Sequence, residues 1–143
     1  MEKIMKISKK YNLPVIEDAA QAIGTKYKDK FVGTFGEVGC FSAHPLKNLN
    51  AMGDAGYLVT NNRKISEKIR LMRNHGIKKR DKVVTFGFVS RMDNIQATIL
   101  NLRLKKLKKV IRRRRTNAKL YFKELSNLKN IALPIERKNY FHR

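Results

Sequence analysis

Between Val38 and Gly56 the chain reads VGCFSAHPLKNLNAMGDAG. Two apolar segments flank a tight turn, glycines bracket it, and one lysine, Lys47, sits inside it. No residue from Gly39 to Gly53 other than Lys47 is charged at neutral pH. The other lysines mostly lie in helical runs beside further charges. An amine held among uncharged groups loses its proton cheaply and becomes a nucleophile able to form a Schiff base. The same residue also reads as a surface-loop lysine, the usual place for this side chain. Either way, an apolar strand must enter this turn and another must leave it.

The rest of the chain is compatible with a folded domain. It has 143 residues, of which 42% are hydrophobic, enough for a core and too many for a disordered chain. No apolar run approaches the roughly 20 residues of a membrane span. The opening MEKIMKISKKYN has charges throughout and does not read as a signal peptide. The single cysteine, Cys40, excludes an internal disulfide framework and suits a reducing cytoplasm. It has no companions for a metal or nucleophile site. Lys and Arg number 33 against 11 Asp and Glu, a net charge of +22. Such a balance raises nucleic acid or another anionic surface as a partner. It also fits a lysine-rich compositional bias, or a piece of a larger protein whose acidic parts lie elsewhere.

Periodicity supplies an element order. Ile4, Ile7 and Tyr11 share one face of a helix over 2–11, and Asn12 stops it. Leu13 to Ile16 reads as a short buried parallel strand. Glu17 and Asp18 follow at its carboxyl end, where α/β proteins keep their ligands. Asp18 reads alternatively as the cap of a short helix over Ala19–Ile23. Tyr27–Phe31 reads as a tight turn between short strands, Val38–Ala43 as a strand, and Gly56–Thr60 as another. Gly33, Gly36 and Gly39 recur in threes, which is not a GxGxxG nucleotide fingerprint. Asn61-Asn62 caps a helix from about Arg63 to Arg73, with Ile65, Ile69 and Met72 inward. Asn74-His75-Gly76 ends it. Residues 77–91 read as irregular, with a possible strand at Val83–Phe86. One long helix is expected from about Met92 to Ser126, apolar through Ile95, Ile99, Leu102, Leu104/Leu107, Ile111 and Leu120. Its other side carries Lys105-Lys106, Lys108-Lys109 and Arg112–Arg115. An irregular tail follows over Asn127–Arg143. The class is α/β, a strand-rich middle flanked by helices.

Several blocks, in order, carry a resemblance. They are Val15-Ile16-Glu17-Asp18-Ala19-Ala20-Gln21-Ala22, Gly33-Thr34-Phe35-Gly36, Cys40-Phe41-Ser42, and His44-Pro45-Leu46-Lys47-Asn48-Leu49. Gly53-Asp54-Ala55-Gly56, Arg73-Asn74-His75-Gly76 and Arg91-Met92-Asp93-Asn94-Ile95-Gln96-Ala97 continue them. Together they resemble the DegT/StrS family of nucleotide-sugar aminotransferases, pyridoxal-phosphate enzymes of the aspartate aminotransferase fold (fold type I). The resemblance covers about residues 5–125.

The resemblance implies roles. Asp18 matches the aspartate that pairs with the pyridine nitrogen and keeps it protonated. Gln21 matches the glutamine-or-histidine position beside the ring and its 3-hydroxyl. Ser42 matches a serine that hydrogen-bonds the cofactor phosphate, and Lys47 the lysine that forms the internal aldimine and then serves as base. Read without the family, Ser42 has the lesser alternative of a strand residue with a solvated hydroxyl, and Gln21 is equally a helix-surface amide. Relatives that dehydrate sugars carry histidine at the lysine position, so Lys47 points to transamination. His44 and His75 receive no catalytic role. No metal is implied.

The departures point to a partial chain. Family members are considerably longer. Their phosphate-holding loop and ring-stacking aromatic precede the part matched here, and their small C-terminal domain follows it. The expected division is a partial cofactor-binding large domain over 1–126 and the start of a connection to a further domain over 127–143. Val89 stands where the family has an asparagine that reaches the phosphate in the partner subunit's site, and valine donates no hydrogen bond. The implied function is amino transfer from an amino acid, glutamate in the family, to a nucleotide-linked keto sugar in polysaccharide biosynthesis. The implied enzyme is a cytoplasmic homodimer. Two alternatives stand beside it: an inactive or split fragment of such an enzyme, and a nucleic-acid-binding module built on Arg112–Arg115. No helix-turn-helix, zinc or aromatic stacking pattern accompanies that run.

Overall fold

The computed structural model describes residues 1–141. Helix α1 (Glu2–Tyr11) ends as its sequence requires: Asn12 turns left-handed at φ 51° and its N–H returns to the Ser8 carbonyl. The central sheet has three strands in the order β1 (Ile16–Asp18), β4 (Val38–Ser42), β5 (Gly56–Val59). β1 runs parallel to β4, and β5 runs antiparallel to β4. Between them a hairpin, β2 (Lys26–Tyr27) and β3 (Lys30–Phe31), turns at Lys28 and Asp29. Both of those residues have positive φ, the geometry of a two-residue type I′ turn.

Helix α2 (Arg63–Met72) starts at Asn62, whose side-chain oxygen accepts the Lys64 and Ile65 N–H groups at 3.0 and 3.3 Å. Ile65, Ile69 and Met72 are the partly covered face, as expected. Removing this cap by Asn62→Ala is expected to cost about 1 kcal/mol. The check is a lower urea midpoint with an unchanged slope.

Four expectations need correction. First, the strand after α1 is not Leu13–Ile16. Pairing begins at Ile16, Leu13 and Ile16 are 56% and 69% exposed, and the buried residue is Glu17. Backbone register with β4, not hydrophobicity, decides this strand: Ile16, Glu17 and Asp18 pair with Val38, Gly39 and Cys40. Second, Ala19–Ile23 is a pair of turns, closed by Ala22 N–H to Ala19 O and Thr25 N–H to Ala22 O. Third, residues 77–91 contain a hairpin, β6 (Ile77–Lys79) and β7 (Lys82–Val83), and the strand stops at Val83, leaving Val84, Thr85 and Phe86 outside it.

Fourth, the long helix is two helices, α3 (Asn94–Leu104) and α4 (Leu107–Leu125). The Lys106 N–H bonds the Arg103 carbonyl, an i→i−3 contact that breaks the α ladder. Leu100 of α3 and Leu107 and Ile111 of α4 reach one cluster with Ala43, Leu49 and Ala51. Ile95, Leu102, Leu104 and Leu120, expected to face inward, are exposed. The tail is also more ordered than expected. β8 (Tyr140–Phe141) pairs antiparallel with β2, and Tyr140 packs its ring 4.9 Å from that of Tyr27. His142 and Arg143 lie outside the described residues.

Candidate active site

The parallel pair β1–β4 positions two of the four candidate residues. Asp18 is the last residue of β1 and Ser42 the last of β4, two places beyond Asp18's partner Cys40. Both therefore stand at the carboxyl edge of neighbouring parallel strands. Asp18 is exposed, and its Oδ1 accepts the Ala20 N–H at 3.1 Å, so it closes the turn after the strand. Gln21 follows in that turn, exposed, and not on a helix surface. Ser42 Oγ accepts the His44 N–H at 3.3 Å.

Lys47 lies in the loop that leaves β4. Its own N–H bonds the His44 carbonyl at 2.9 Å, closing a turn through Pro45 and Leu46. His44 is occupied in shaping that turn: Nδ1 accepts the Leu46 N–H at 3.2 Å, and Nε2 stands 4.0 Å from Asp54 Oδ1. The Lys47 side chain is half-buried and makes no ion pair with any described residue.

The loop is not free to wander. Ala43 N–H bonds Ala55 O and Ala51 N–H bonds Ala43 O, both at 2.8 Å, so the loop returns to its own root. Leu49 and Ala51 are buried in the core cluster against Leu100. Asn50 Nδ2 holds the Pro45 carbonyl at 2.6 Å. The turn bearing Lys47 is thus an outgrowth of the hydrophobic core, which rigidifies it.

Beneath the sheet edge lies a residue whose role the sequence did not disclose. Glu17 is 6% exposed, and its carboxylate accepts three backbone N–H groups: Gly33 at 2.8 Å, Phe35 at 2.5 Å and Gly36 at 2.7 Å. Alternation along β1 sends Glu17 inward and Asp18 outward. One carboxylate builds the loop behind the strand while its neighbour is presented at the edge. The Gly33–Gly39 glycines, which fit no nucleotide fingerprint, serve this packing. Gly33 has φ 88°, and a Cβ there would run into the Phe41 ring; a Cβ on Gly39 would run into the Gly33 carbonyl. Gly39→Ala is expected to cost about 2 kcal/mol or more through overpacking, read as a lowered thermal midpoint. Phe41 in turn stacks on Tyr57, with centroids 5.1 Å apart, and burial raises the Tyr57 phenol above its ordinary range.

The donor set (a carboxylate, an amide, a hydroxyl and an amine) suits a ligand carrying a basic nitrogen and a phosphate. Among the described residues no group of His, Cys, Asp and Glu could hold a metal ion, and no helix is long and apolar enough to cross a membrane. A separate cavity of about 580 Å³ lies between α4 and the β2–β3–β8 sheet, lined by Phe31, Leu107, Ile111, Arg115 and Phe141 among others. It includes none of Asp18, Gln21, Ser42 and Lys47. Arg115, from the basic run, is engaged there by Glu136 at 2.8 Å and lies 4.2 Å over the Phe141 ring.

The model of the DegT/DnrJ/EryC1/StrS aminotransferase family matches residues 1–143. The chain belongs to this family. Among family relatives, the UDP-N-acetyl-3-dehydro-alpha-D-glucosamine 3-aminotransferase of Acidithiobacillus ferrooxidans is 40% identical over 99% of this chain and 38% of its own. A "pleiotropic regulatory protein" of Geobacillus stearothermophilus is 44% identical over 85% of this chain and 32% of its own. Among solved structures, S. venezuelae DesV, in complex with a ketimine intermediate, superposes with a TM-score of 0.94 at 34% identity. That match covers 99% of this chain and 38% of DesV. The α/β class is therefore that of the family's sugar aminotransferases, and the chain spans about a third to two fifths of the length of the curated relatives it matches.

Proposed function

We propose that this chain forms the cofactor-binding part of a pyridoxal-phosphate-dependent aminotransferase that acts on a nucleotide-linked keto sugar, with glutamate as amino donor. The observation that carries this reading is the shared carboxyl edge of β1 and β4. It delivers Asp18 and Ser42 side by side and launches the loop that holds Lys47.

In this reading Asp18 would pair with the ring nitrogen, where its negative charge would keep a proton bound. Gln21 lies beside the ring and its 3-hydroxyl. Ser42 would donate a hydrogen bond from its hydroxyl to the phosphate. Lys47 would anchor the cofactor through its amine and, with that amine free, would carry a proton to and from the substrate carbon. The bound cofactor supplies an electron sink that lets an amino group pass from amino acid to sugar. The net positive charge of the chain favours anionic ligands of this class. The assembly is a cytoplasmic homodimer serving polysaccharide biosynthesis. Residues 1–126 belong to the cofactor-binding domain, and 127–143 begin the connection onward.

A second reading has a specific observation behind it. No large side chain is fully buried among the described residues, and Ile4, Ile7, Ile95 and Phe86 are exposed, Phe86 to 96%. Apolar faces this bare are ordinarily covered by more polypeptide. The chain then acts only when further sequence of the family's length covers them.

The test is labelling. The chain is mixed with pyridoxal phosphate, reduced with borohydride and digested. A pyridoxyl group on the Lys47 peptide, with visible absorbance before reduction, is the expected result. Label distributed over the many other lysines, with none enriched at Lys47, refutes the assignment.

A further inference from the structure

The block Arg91–Ala97 carried part of the family resemblance, yet the proposed chemistry uses none of its residues. The structure places Gln96 against the catalytic loop. Its Oε1 accepts two consecutive backbone N–H groups, Met52 at 2.9 Å and Gly53 at 3.3 Å, across 44 and 43 residues of sequence. Gly53 packs so closely that a Cβ there would meet Gln96 Nε2 at 3.0 Å. Seven residues on, Arg103 Nη1 donates to the Asn50 carbonyl at 2.7 Å. Leu100 lies between the two and is buried against Leu49 and Ala51. Residues 96, 100 and 103 recur at i, i+4 and i+7, so they share one face of α3. That face meets the far limb of the loop with an acceptor, an apolar plug and a donor. The near limb is tied to the far one through Asn50 and Pro45.

We propose that Gln96 is a positioning residue for Lys47: by capping the Met52 and Gly53 amides it sets the height of the loop above β4, and hence where the Lys47 amine stands. The proposal rests on Lys47 being the cofactor lysine. A single oxygen taking two adjacent N–H groups defines the backbone path at 52–53 more tightly than one bond would. The loop from Lys47 to Gly53 then has little freedom, because both its ends are held: Lys47 N–H by His44 O, and the 52–53 amides by Gln96. The amide nitrogen of Gln96 makes no hydrogen bond of its own among the described residues, so the oxygen is the part that matters.

The test compares Gln96→Met, which keeps the packing volume and loses the acceptor, with Gln96→Glu, which keeps an acceptor. Amide hydrogen exchange is read at Met52 and Gly53, and pyridoxal phosphate is used to measure affinity and the rate of borohydride-fixed labelling at Lys47. Gln96→Met is expected to exchange about tenfold faster at those two amides and to label Lys47 about tenfold more slowly, with its thermal midpoint nearly retained. Gln96→Glu is expected to restore both. Labelling in Gln96→Met equal to that of the unmodified chain overturns this proposal alone, as does impairment of Gln96→Glu to the same degree. No label at Lys47 in the unmodified chain overturns the functional reading and this proposal with it, while the exchange result still reports whether Gln96 holds the loop.

Discussion

Lys47→Ala is expected to remove the visible absorbance formed with pyridoxal phosphate, leaving only scattered label on other lysines, and, in the complete enzyme of the proposed reading, to lower amino transfer by about 10³-fold or more. A positioned general base alone contributes roughly 10²–10⁴-fold, and in the proposed reading Lys47 is also the covalent anchor. The structure makes this a clean experiment. The Lys47 side chain has no hydrogen bond or ion pair with a described residue, and the turn it occupies is built by backbone bonds and by His44, Asn50 and the core. Stability should therefore change by less than about 0.5 kcal/mol. Lys47→Arg sharpens the result. A guanidinium keeps the positive charge but does not lose its proton in a protein. If Lys47 served only to attract the cofactor phosphate, arginine would substitute. The expected result is that arginine retains some noncovalent affinity and forms no borohydride-fixed bond. Measurable covalent label in either variant at another lysine, with amino transfer retained, would sink the assignment.

Glu17→Ala is expected to be the most destabilising single change in the region, at about 3 kcal/mol or more. The carboxylate satisfies three backbone N–H groups from a nearly buried position. Each buried donor left unsatisfied costs about 1–3 kcal/mol, and water entering the space left by the side chain recovers part of that sum. Against a total stability of roughly 5–15 kcal/mol, the loss is large. Glu17→Gln should fall between, because its amide offers one acceptor oxygen and turns N–H groups toward the backbone donors. The measurement is urea unfolding of all three proteins. A loss below about 1 kcal/mol for Glu17→Ala would show that the Gly33–Gly36 loop is held by packing alone. The same variant should weaken pyridoxal phosphate affinity without touching it. Glu17 and Asp18 are consecutive in β1, and loosening one loosens the strand that presents the other.

How much of this was legible in the residues depends on the range of the interaction. The α1 stop at Asn12, the Lys28-Asp29 turn and the Asn62 cap were readable because each is decided within a few residues by backbone preference or a local hydrogen bond. The division of the long helix was not. Lys105-Lys106 is a good helical sequence, and Leu100, Leu107 and Ile111 recur at the spacing of an unbroken helix, so nothing in the residues marks the i→i−3 contact at Lys106. The strand begins at Ile16 and not at Leu13. A short apolar run suggests burial, but the partner strand decides which residues pair.

The sequence by itself determined the chemistry available. Asp18, Gln21, Ser42 and Lys47 are a carboxylate, an amide, a hydroxyl and an amine, spaced in blocks that resemble one family, and these identities need no coordinates. Only the tertiary structure decided what holds them. Glu17 reaches donors 16 to 19 residues away, and Gln96 and Arg103 reach carbonyls and amides 43 to 53 residues away. A glutamate beside an aspartate, or a glutamine on a helix, looks the same in a sequence whether it faces water or three buried amides. The difference lies in which distant backbone arrives there, and that is set when the sheet pairs and the core closes.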